Sequence, residues 1–261
     1  MLIDIHNHTY LCNHADGTAL DYAQKAYDLG CKFYGFSDHA PMKFDEKYRM
    51  KFSQMQQYKQ MIDEIKTKFS GKMEVLFGYE VDFMSDSRLM DERVLSAKCD
   101  FLIGSVHFID GWGFDNPEFI GKYKDMDMDL VYEKYFEIVE NMVKSNKFNI
   151  VGHLDLIKVF GFKSTKDIRQ IAKNAINAIQ KSKMVVELNT AGLRKPANEI
   201  YPSEILLEMI AERNIDITLC SDAHSIDQVG LNMPQAINLA RKFGYTKAAI
   251  FKEKQKILVN F

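Results

Sequence analysis

Residues that commonly bind metal ions stand at the ends of apolar runs at both ends of this chain. His6-Asn7-His8 closes the first run, and Asp222-Ala223-His224 closes the last. Residues two apart on an extended strand point to the same face, so each segment directs two potential ligands toward one point. If both segments serve one site, the fold has to bring the first and last strands together. No other feature of the sequence restricts the architecture as much.

The chain alternates between strand-like and helix-like segments along its whole length. β-Branched and apolar residues predict strands within residues 2–8, 33–39, 74–83, 101–108, 149–155, 184–190 and 216–224. Helical periodicity and capping residues predict helices at residues 19–29, 50–69, 129–145, 166–181, 203–213 and 235–243. Regular alternation of this kind indicates an α/β fold built on a parallel sheet.

Ligands spread over nearly all of the predicted strands indicate that the sheet closes into a barrel. An open, doubly wound sheet would leave His6 and Asp222 at distant positions, whereas a barrel places the first and last strands side by side. In each run the polar residue falls at the C-terminal end, where barrel enzymes carry their active sites. We therefore predict one barrel domain over residues 1–261, with the irregular, aromatic stretch 111–127 forming a rim of the site.

Nine imidazole and carboxylate side chains form the predicted metal-binding set. They are His6, His8, His14, His39, Glu80, His107, His153, Asp222 and His224. Nine groups would overfill one four-coordinate site, so two or three ions are expected to share them. The mixed donor set favours zinc, iron or manganese over magnesium or calcium. Glu80 is expected to bind metal because an unpaired buried carboxylate is costly, whereas Asp82 is expected to point the other way.

Composition makes several other classes of protein poor candidates. The chain has 34 basic and 36 acidic residues, and no basic stripe with interleaved aromatics, so a nucleic-acid partner is not indicated. Its four cysteines are widely scattered and are expected to be reduced thiols. No apolar stretch approaches the roughly 20 residues of a membrane span, and the first residues lack the basic region of a signal peptide. We expect a soluble, cytoplasmic protein without a membrane partner.

In these motifs the chain resembles the PHP (polymerase and histidinol phosphatase) family, and within it the free-standing histidinol phosphatases. The resemblance covers nearly the whole chain. Its family markers are His6-Asn7-His8, His14, Ser37-Asp38-His39, Gly78-Tyr79-Glu80, Ser105-Val106-His107, Gly152-His153 and Ser221-Asp222-Ala223-His224. Its branch markers lie at residues 105–112, 152–156, 187–195 and 200–203.

The resemblance implies a distorted TIM-like (β/α)7 barrel with three divalent metal ions. The implied ligand sets are His6, His8, Glu80 and Asp222 for the first ion, Glu80, His107 and His153 for the second, and His14, His39 and His224 for the third. Arg194 is an implied phosphate contact, and Lys158 stands where an arginine is expected. Glu80, Asp222 and Arg194 are the residues expected to take part in catalysis.

The implied reaction is the hydrolysis of L-histidinol phosphate to L-histidinol and inorganic phosphate, a step of histidine biosynthesis. A metal-bound hydroxide would attack phosphorus, and Arg194 would bind two phosphate oxygens. Asp155 or a metal-bound water could protonate the leaving group. Alternatives are a related phosphoesterase acting on a phosphotyrosyl protein or a small phosphate ester, an amidohydrolase, and a non-catalytic metal-binding accessory module. Glu80 stands where an amidohydrolase would carry a bridging modified lysine, and the complete ligand set argues against a module that has lost its metals.

Overall fold

A computed structural model describes residues 3–261 of the chain. Its strands are β1 (Ile3–Asp4), β2 (Phe33–His39), β3 (Glu74–Asp82), β4 (Phe101–Ser105), β5 (Phe108–Ile109), β6 (Trp112–Gly113), β7 (Ile150–Val151), β8 (Val185–Asn189), β9 (Ile217–Cys220), β10 (Lys247–Lys252) and β11 (Gln255–Asn260). Its α-helices are α1 (Ala19–Asp28), α2 (Met55–Lys68), α3 (Glu92–Leu95), α4 (Met128–Lys144), α5 (Ile168–Lys181), α6 (Glu204–Glu212) and α7 (Met233–Lys242).

Seven strands form one parallel sheet in the order β1-β2-β3-β4-β7-β8-β9. The chain just after β9 returns to the chain just after β1, where Asn7 and Ala223 form a parallel bridge. The backbone N–H of Asp222 donates to the His6 carbonyl at 2.8 Å, and that of His8 donates to the Ala223 carbonyl at 3.0 Å. The predicted TIM-like barrel is confirmed. The first predicted strand began at Leu2, and that residue lies outside the described residues.

The helices cover the barrel with apolar faces that the sequence pattern predicts. On α5 the buried residues Ala172, Ala175, Ile176 and Ile179 recur at helical spacing. Thr18 caps α1 as expected, because its hydroxyl oxygen accepts a hydrogen bond from the backbone N–H of Asp21 at 3.2 Å. The four cysteines are buried, reduced thiols. No helix within residues 3–261 has both the length and the apolar character needed to cross a membrane.

The structure departs from the predicted elements in several places, and helix α3 is one element that was not predicted. Helix α2 starts at Met55 instead of residue 50, because residues 52–54 form a 3-10 turn. Helix α5 is capped by Asp167, since Thr165 bonds to the Asp129 carboxylate instead. The stretch 111–127, predicted to be irregular, contains β6 and a 3-10 helix over Pro117–Asp125. The hairpin of β10 and β11 was not predicted, and it is attached near the start of β4, at the end of the barrel opposite the ligands.

Candidate metal centre

The predicted ligands gather where the C-terminal ends of the barrel strands meet. Six of them are buried: His6, His8, His39, Glu80, His107 and His153. Asp222 and His224 are half-buried, and His14 is exposed. The strands place them there directly, because His39 ends β2, Glu80 lies near the end of β3, and His107 follows β4 by two residues.

Glu80 lies at the centre of the cluster. Its Oε1 atom is 2.9 Å from Nε2 of His153 and 3.5 Å from Nε2 of His107. Its Oε2 atom is 2.9 Å from Nδ1 of His39 and 3.4 Å from Nε2 of His6. One carboxylate therefore faces imidazoles from four strand ends, which is the arrangement that a bridging ligand requires.

The second predicted ligand set forms one group, the first forms a group that lacks only Glu80, and the third is divided between two groups. The three histidine rings of the third set nevertheless lie within 5.9 Å of one another. Within each of two groups, the ligand atoms all lie within 4.8 Å of one another. The group of His6, His8 and Asp222 corresponds to the first predicted set, and the group of Glu80, His107 and His153 corresponds to the second. His39 and His224 group with His8, while His14 groups with His224 and Cys12. His14 is held at the edge of the cluster, where its Nδ1 atom bonds to the Cys12 carbonyl at 2.8 Å.

Unbonded polar atoms inside the cluster fit metal binding. Nε2 of His6 and Oε2 of Glu80 are both buried, and neither has a hydrogen-bond partner. Nδ1 of His39 is close enough to Glu80 for a hydrogen bond, at 2.9 Å, but its alignment does not make one. Burying such atoms without partners is costly. Cations between them would satisfy them all, so the residues present suit divalent ions.

The two sides of the cluster differ in their electrostatics. Burial lowers the pKa of His6, but the carboxylates of Glu187, Asp222 and Glu80 raise it well above 6.5. Burial lowers the pKa of His224, and the neighbouring imidazole of His8 lowers it further. The carboxylate-rich side therefore attracts positive charge, while the imidazole-rich side holds His224 in the neutral form that binds metal.

Two buried carboxylates, Asp82 and Glu187, support the ligands, and neither was predicted to do so. Oδ1 of Asp82 accepts from Nδ1 of His107 at 2.8 Å, and Oδ2 lies 2.7 Å from Nη2 of the buried Arg49. The expectation that Asp82 points away from Glu80 is wrong, because residues two apart on a strand share a face. Glu187 was given no role. Its Oε2 bonds to Nδ1 of His6 at 2.8 Å, and its Oε1 accepts from the His153 backbone N–H at 2.6 Å.

The sequence did contain a signal for the role of Glu187, because it is a charged residue that follows two valines within strand β8. A fully buried carboxylate needs partners, and partners on a strand of this barrel lie near the ligands. Glu187 contacts one histidine from each of the first two ligand groups. It therefore orients the His6 ring and holds the His153 backbone from a single position.

The two predicted phosphate-binding cations lie in different environments. Nη2 of Arg194 donates to the carbonyl oxygens of Ser221 and Asp222, both at 2.9 Å, while its buried Nη1 has no hydrogen-bond partner. Burial lowers the pKa of Arg194, and the Asp222 carboxylate opposes that effect. The guanidinium is thus held beside a metal ligand with N–H donors still available.

Lys158 is buried, and its ammonium is already surrounded by acceptors. Nζ lies 2.9 Å from each of Oδ2 of Asp155, Oε2 of Glu199 and the carbonyl oxygen of Ile200. An ammonium has three donors, and these three acceptors occupy them. Oδ1 of Asp155 is buried without a hydrogen-bond partner. Lys158 could contact phosphate only after releasing one of its present bonds.

Known proteins share both the sequence and the fold of this chain. The family model described as the PHP domain matches residues 4–191. A probable histidinol-phosphatase of Deinococcus radiodurans is 39% identical, with 93% of this chain and 94% of that protein covered. The histidinol-phosphatase of Bacillus subtilis is 29% identical, with coverage of 87% and 95%.

A solved structure shows the same architecture at lower identity. It is the histidinol phosphate phosphatase of Lactococcus lactis, complexed with zinc, L-histidinol and phosphate. Its TM-score is 0.84 at 20% identity, and the superposition covers 97% of this chain and 98% of that one. At this identity the likeness concerns the fold. The family model and the Deinococcus relative, taken together, establish that this chain belongs to the PHP domain family.

Proposed function

We propose that this protein is a metal-dependent phosphomonoesterase that hydrolyses L-histidinol phosphate to L-histidinol and inorganic phosphate. The observation that carries the proposal is the position of Arg194, whose unused guanidinium donors lie beside the ligand Asp222. A cluster that binds cations and also presents a free arginine suits a phosphate dianion. The relatives described as histidinol-phosphatases match nearly the whole chain, and they support the choice of substrate.

We further propose that the cluster binds three divalent ions, with zinc, iron or manganese as the candidates. His6, His8 and Asp222 serve the first ion with Glu80, which also joins His107 and His153 at the second. His39 and His224 serve the third with His14, whose ring lies 5.2 Å from that of His39 and 4.7 Å from that of His224. Such ions supply charge for the phosphate oxygens and lower the pKa of a water molecule to about 7.

The chain's own residues have separable tasks in this proposal. Glu80 holds the two ligand groups together, and Asp222 ligates one ion while its backbone carbonyl orients Arg194. Arg194 binds phosphate through its remaining donors and stabilises the charge that develops in the transition state. Lys158 stays a predicted phosphate contact that depends on opening its bond to Glu199. Asp155, with one unpaired buried oxygen, is the side-chain candidate for protonating the leaving group.

We expect the partner to be a small phosphate ester and not a nucleic acid or a membrane. We also expect the protein to be located in the cytoplasm. The deciding experiment compares kcat/KM for phosphate release from L-histidinol phosphate and from an aryl phosphate, using one manganese- or zinc-loaded sample. A preference of several orders of magnitude for histidinol phosphate is expected. Comparable weak rates on both substrates would contradict the substrate assignment while leaving a metal phosphatase.

Arg194→Lys tests the phosphate-binding role. Lysine keeps the positive charge but cannot bind two phosphate oxygens in a forked geometry. The kcat/KM of the variant should therefore fall, although the charge at this position is unchanged. Lys242→Arg is a matched control, because this exposed residue pairs with Glu204 far from the cluster. Activity of Arg194→Lys equal to wild type would count against a bidentate contact.

A further inference from the structure

Asp115 is a half-buried residue that directly follows a backbone contact to the metal ligand His107. The backbone N–H of Phe114 donates to the His107 carbonyl at 3.2 Å, so the chain after β6 is attached to the ligand itself. The Tyr123 hydroxyl donates to the Phe114 carbonyl at 3.1 Å. The Phe114 ring is fully buried and packs edge-on against Tyr135 at 5.5 Å. These contacts fix the backbone from which Asp115 projects.

Asp115 makes no hydrogen bond or ion pair with any residue from 3 to 261. The neighbouring carboxylates are engaged: Asp82 and Asp45 pair with Arg49, and Asp155 pairs with Lys158. The Arg49 guanidinium attracts the Asp115 carboxylate at longer range, but two of its nitrogen atoms already pair with Asp82 and Asp45. An anion that is partly removed from water and has no hydrogen-bonded partner is unfavourable in the free protein. It is therefore available to a cation that enters the site.

The charge of Asp115 reaches groups on different sides of the site. Burial lowers the pKa of His107, but Asp82, then Asp115 and Glu80, raise it to about 10. Burial raises the pKa of Tyr201, and the carboxylates of Asp155, Asp222 and, to a smaller extent, Asp115 raise it further. The Tyr201 ring faces His153 at 6.3 Å. Asp115 follows Phe114, whose backbone is bonded to His107, and its negative charge acts on both His107 and Tyr201.

We propose that Asp115 binds the primary ammonium group of the substrate and so selects amino-alcohol phosphates. The inference rests on the proposed function and specifies how its substrate is recognised. In L-histidinol phosphate the ammonium is separated from the ester oxygen by two carbon atoms, so it stays close to the phosphate. Divalent ions and Arg194 would repel that ammonium, and an unpaired anion near His107 offsets the repulsion.

The test compares Asp115→Asn with wild type on two pairs of substrates. O-Phosphoethanolamine has the same ammonium-to-phosphate spacing as histidinol phosphate, and propyl phosphate is a neutral counterpart. A hydrogen-bonded ion pair in a partly dry site is worth about 10- to 100-fold in binding. We therefore expect the preference for phosphoethanolamine over propyl phosphate to fall by that factor in the variant. The preference for histidinol phosphate over p-nitrophenyl phosphate should fall in parallel, mainly through KM.

Asp110→Asn is the matched control, because Asp110 is an exposed carboxylate in the turn of the same hairpin. Its backbone has φ +47°, a conformation that asparagine accepts. Metal content and Tm are measured for each variant, and L-histidinol binding is measured by calorimetry. Weaker L-histidinol binding by Asp115→Asn, with metal content unchanged, supports the proposal.

Three results would overturn this role of Asp115. The first is an equal fall in kcat/KM on the ammonium-bearing and the neutral esters. The second is no fall in kcat/KM on either kind of ester. The third is a fall on histidinol phosphate alone, with the preference for phosphoethanolamine over propyl phosphate unchanged. The last result would place the imidazole, and not the ammonium, beside Asp115. If wild type itself shows no preference for histidinol phosphate but favours phosphoethanolamine over propyl phosphate, the proposed substrate fails and the ammonium site stands.

Discussion

Replacing Glu187 by glutamine is expected to weaken metal binding through a change in the His6 tautomer. Oε1 of Glu187 accepts from the His153 N–H at 2.6 Å and from Nδ2 of Asn189 at 2.8 Å, while Oε2 contacts Nδ1 of His6. Glutamine offers only one such oxygen. With that oxygen toward His153 and Asn189, its NH2 group faces Nδ1 of His6, and two donors meet.

The clash is relieved when His6 moves its proton to Nε2. Nε2 is the buried atom that faces Glu80 at 3.4 Å and is available for metal only without a proton. Losing a hydrogen bond to a charged acceptor costs about 1.5–3 kcal/mol. Supporting residues of this kind typically change metal affinity by about 10- to 100-fold, which agrees with that cost.

Metal content is measured by mass spectrometry after dialysis against buffers of graded free zinc, for wild type, Glu187→Gln and Glu74→Gln. Glu74 is an exposed carboxylate at the start of β3 that pairs with Lys252, so its variant removes the same charge far from the cluster. We expect a shift to higher free zinc for Glu187→Gln alone. Equal zinc affinity in all three proteins, with Glu187→Gln fully folded by circular dichroism, would refute the tautomer argument.

Further predictions concern the remaining buried acids and the metals themselves. Glu80→Gln should lose the bridge between the ligand groups and most of the turnover rate. A variant that keeps the full metal content and the full turnover rate would contradict the bridging role of Glu80. Removing metal with a strong chelator should lower Tm, because ligand at 100 times its Kd stabilises a fold by about 2.7 kcal/mol; an unchanged melting curve after verified removal would argue against a buried centre. Burial raises the pKa of Asp82, but Arg49 and His107 hold it well below 3.8, so its stabilisation is present above that pH and is lost as the pH falls below it. In metal-free protein the Tm difference between wild type and Asp82→Asn should therefore narrow below pH 3.8, and a difference independent of pH would contradict this.

The barrel could be predicted from the sequence because its signals are local and repeated. Each strand is an apolar run that ends in a polar residue, and the need to join His6 with Asp222 decides between an open and a closed sheet. The cluster around Glu80 follows from the same reasoning. Helix α2 begins later than predicted because the competition between a 3-10 turn and an α-helical turn depends on tertiary packing, which periodicity does not describe.

The residues that support the ligands could not be predicted in the same way. Whether Lys158 offers its donors to phosphate or to Asp155 depends on side-chain contacts between segments distant in sequence. Asp115 is one more acidic residue in an aromatic loop until the hairpin places it beside His107. Asp82 is a different case, because strand alternation alone was sufficient to assign its direction correctly.

The contacts between the chain just after β1 and the chain just after β9 have a consequence for how the protein is made. The residues that close the barrel are also ligands or their direct neighbours, and they are separated by more than 200 positions in the sequence. During synthesis the histidines near the start emerge long before Asp222 and His224 exist. Until those last residues arrive, the early histidines are exposed donors that can capture metal in incomplete sites. Because the complete set of ligands exists only once these segments meet, a newly made chain gains its full affinity for metal only in the final stage of folding.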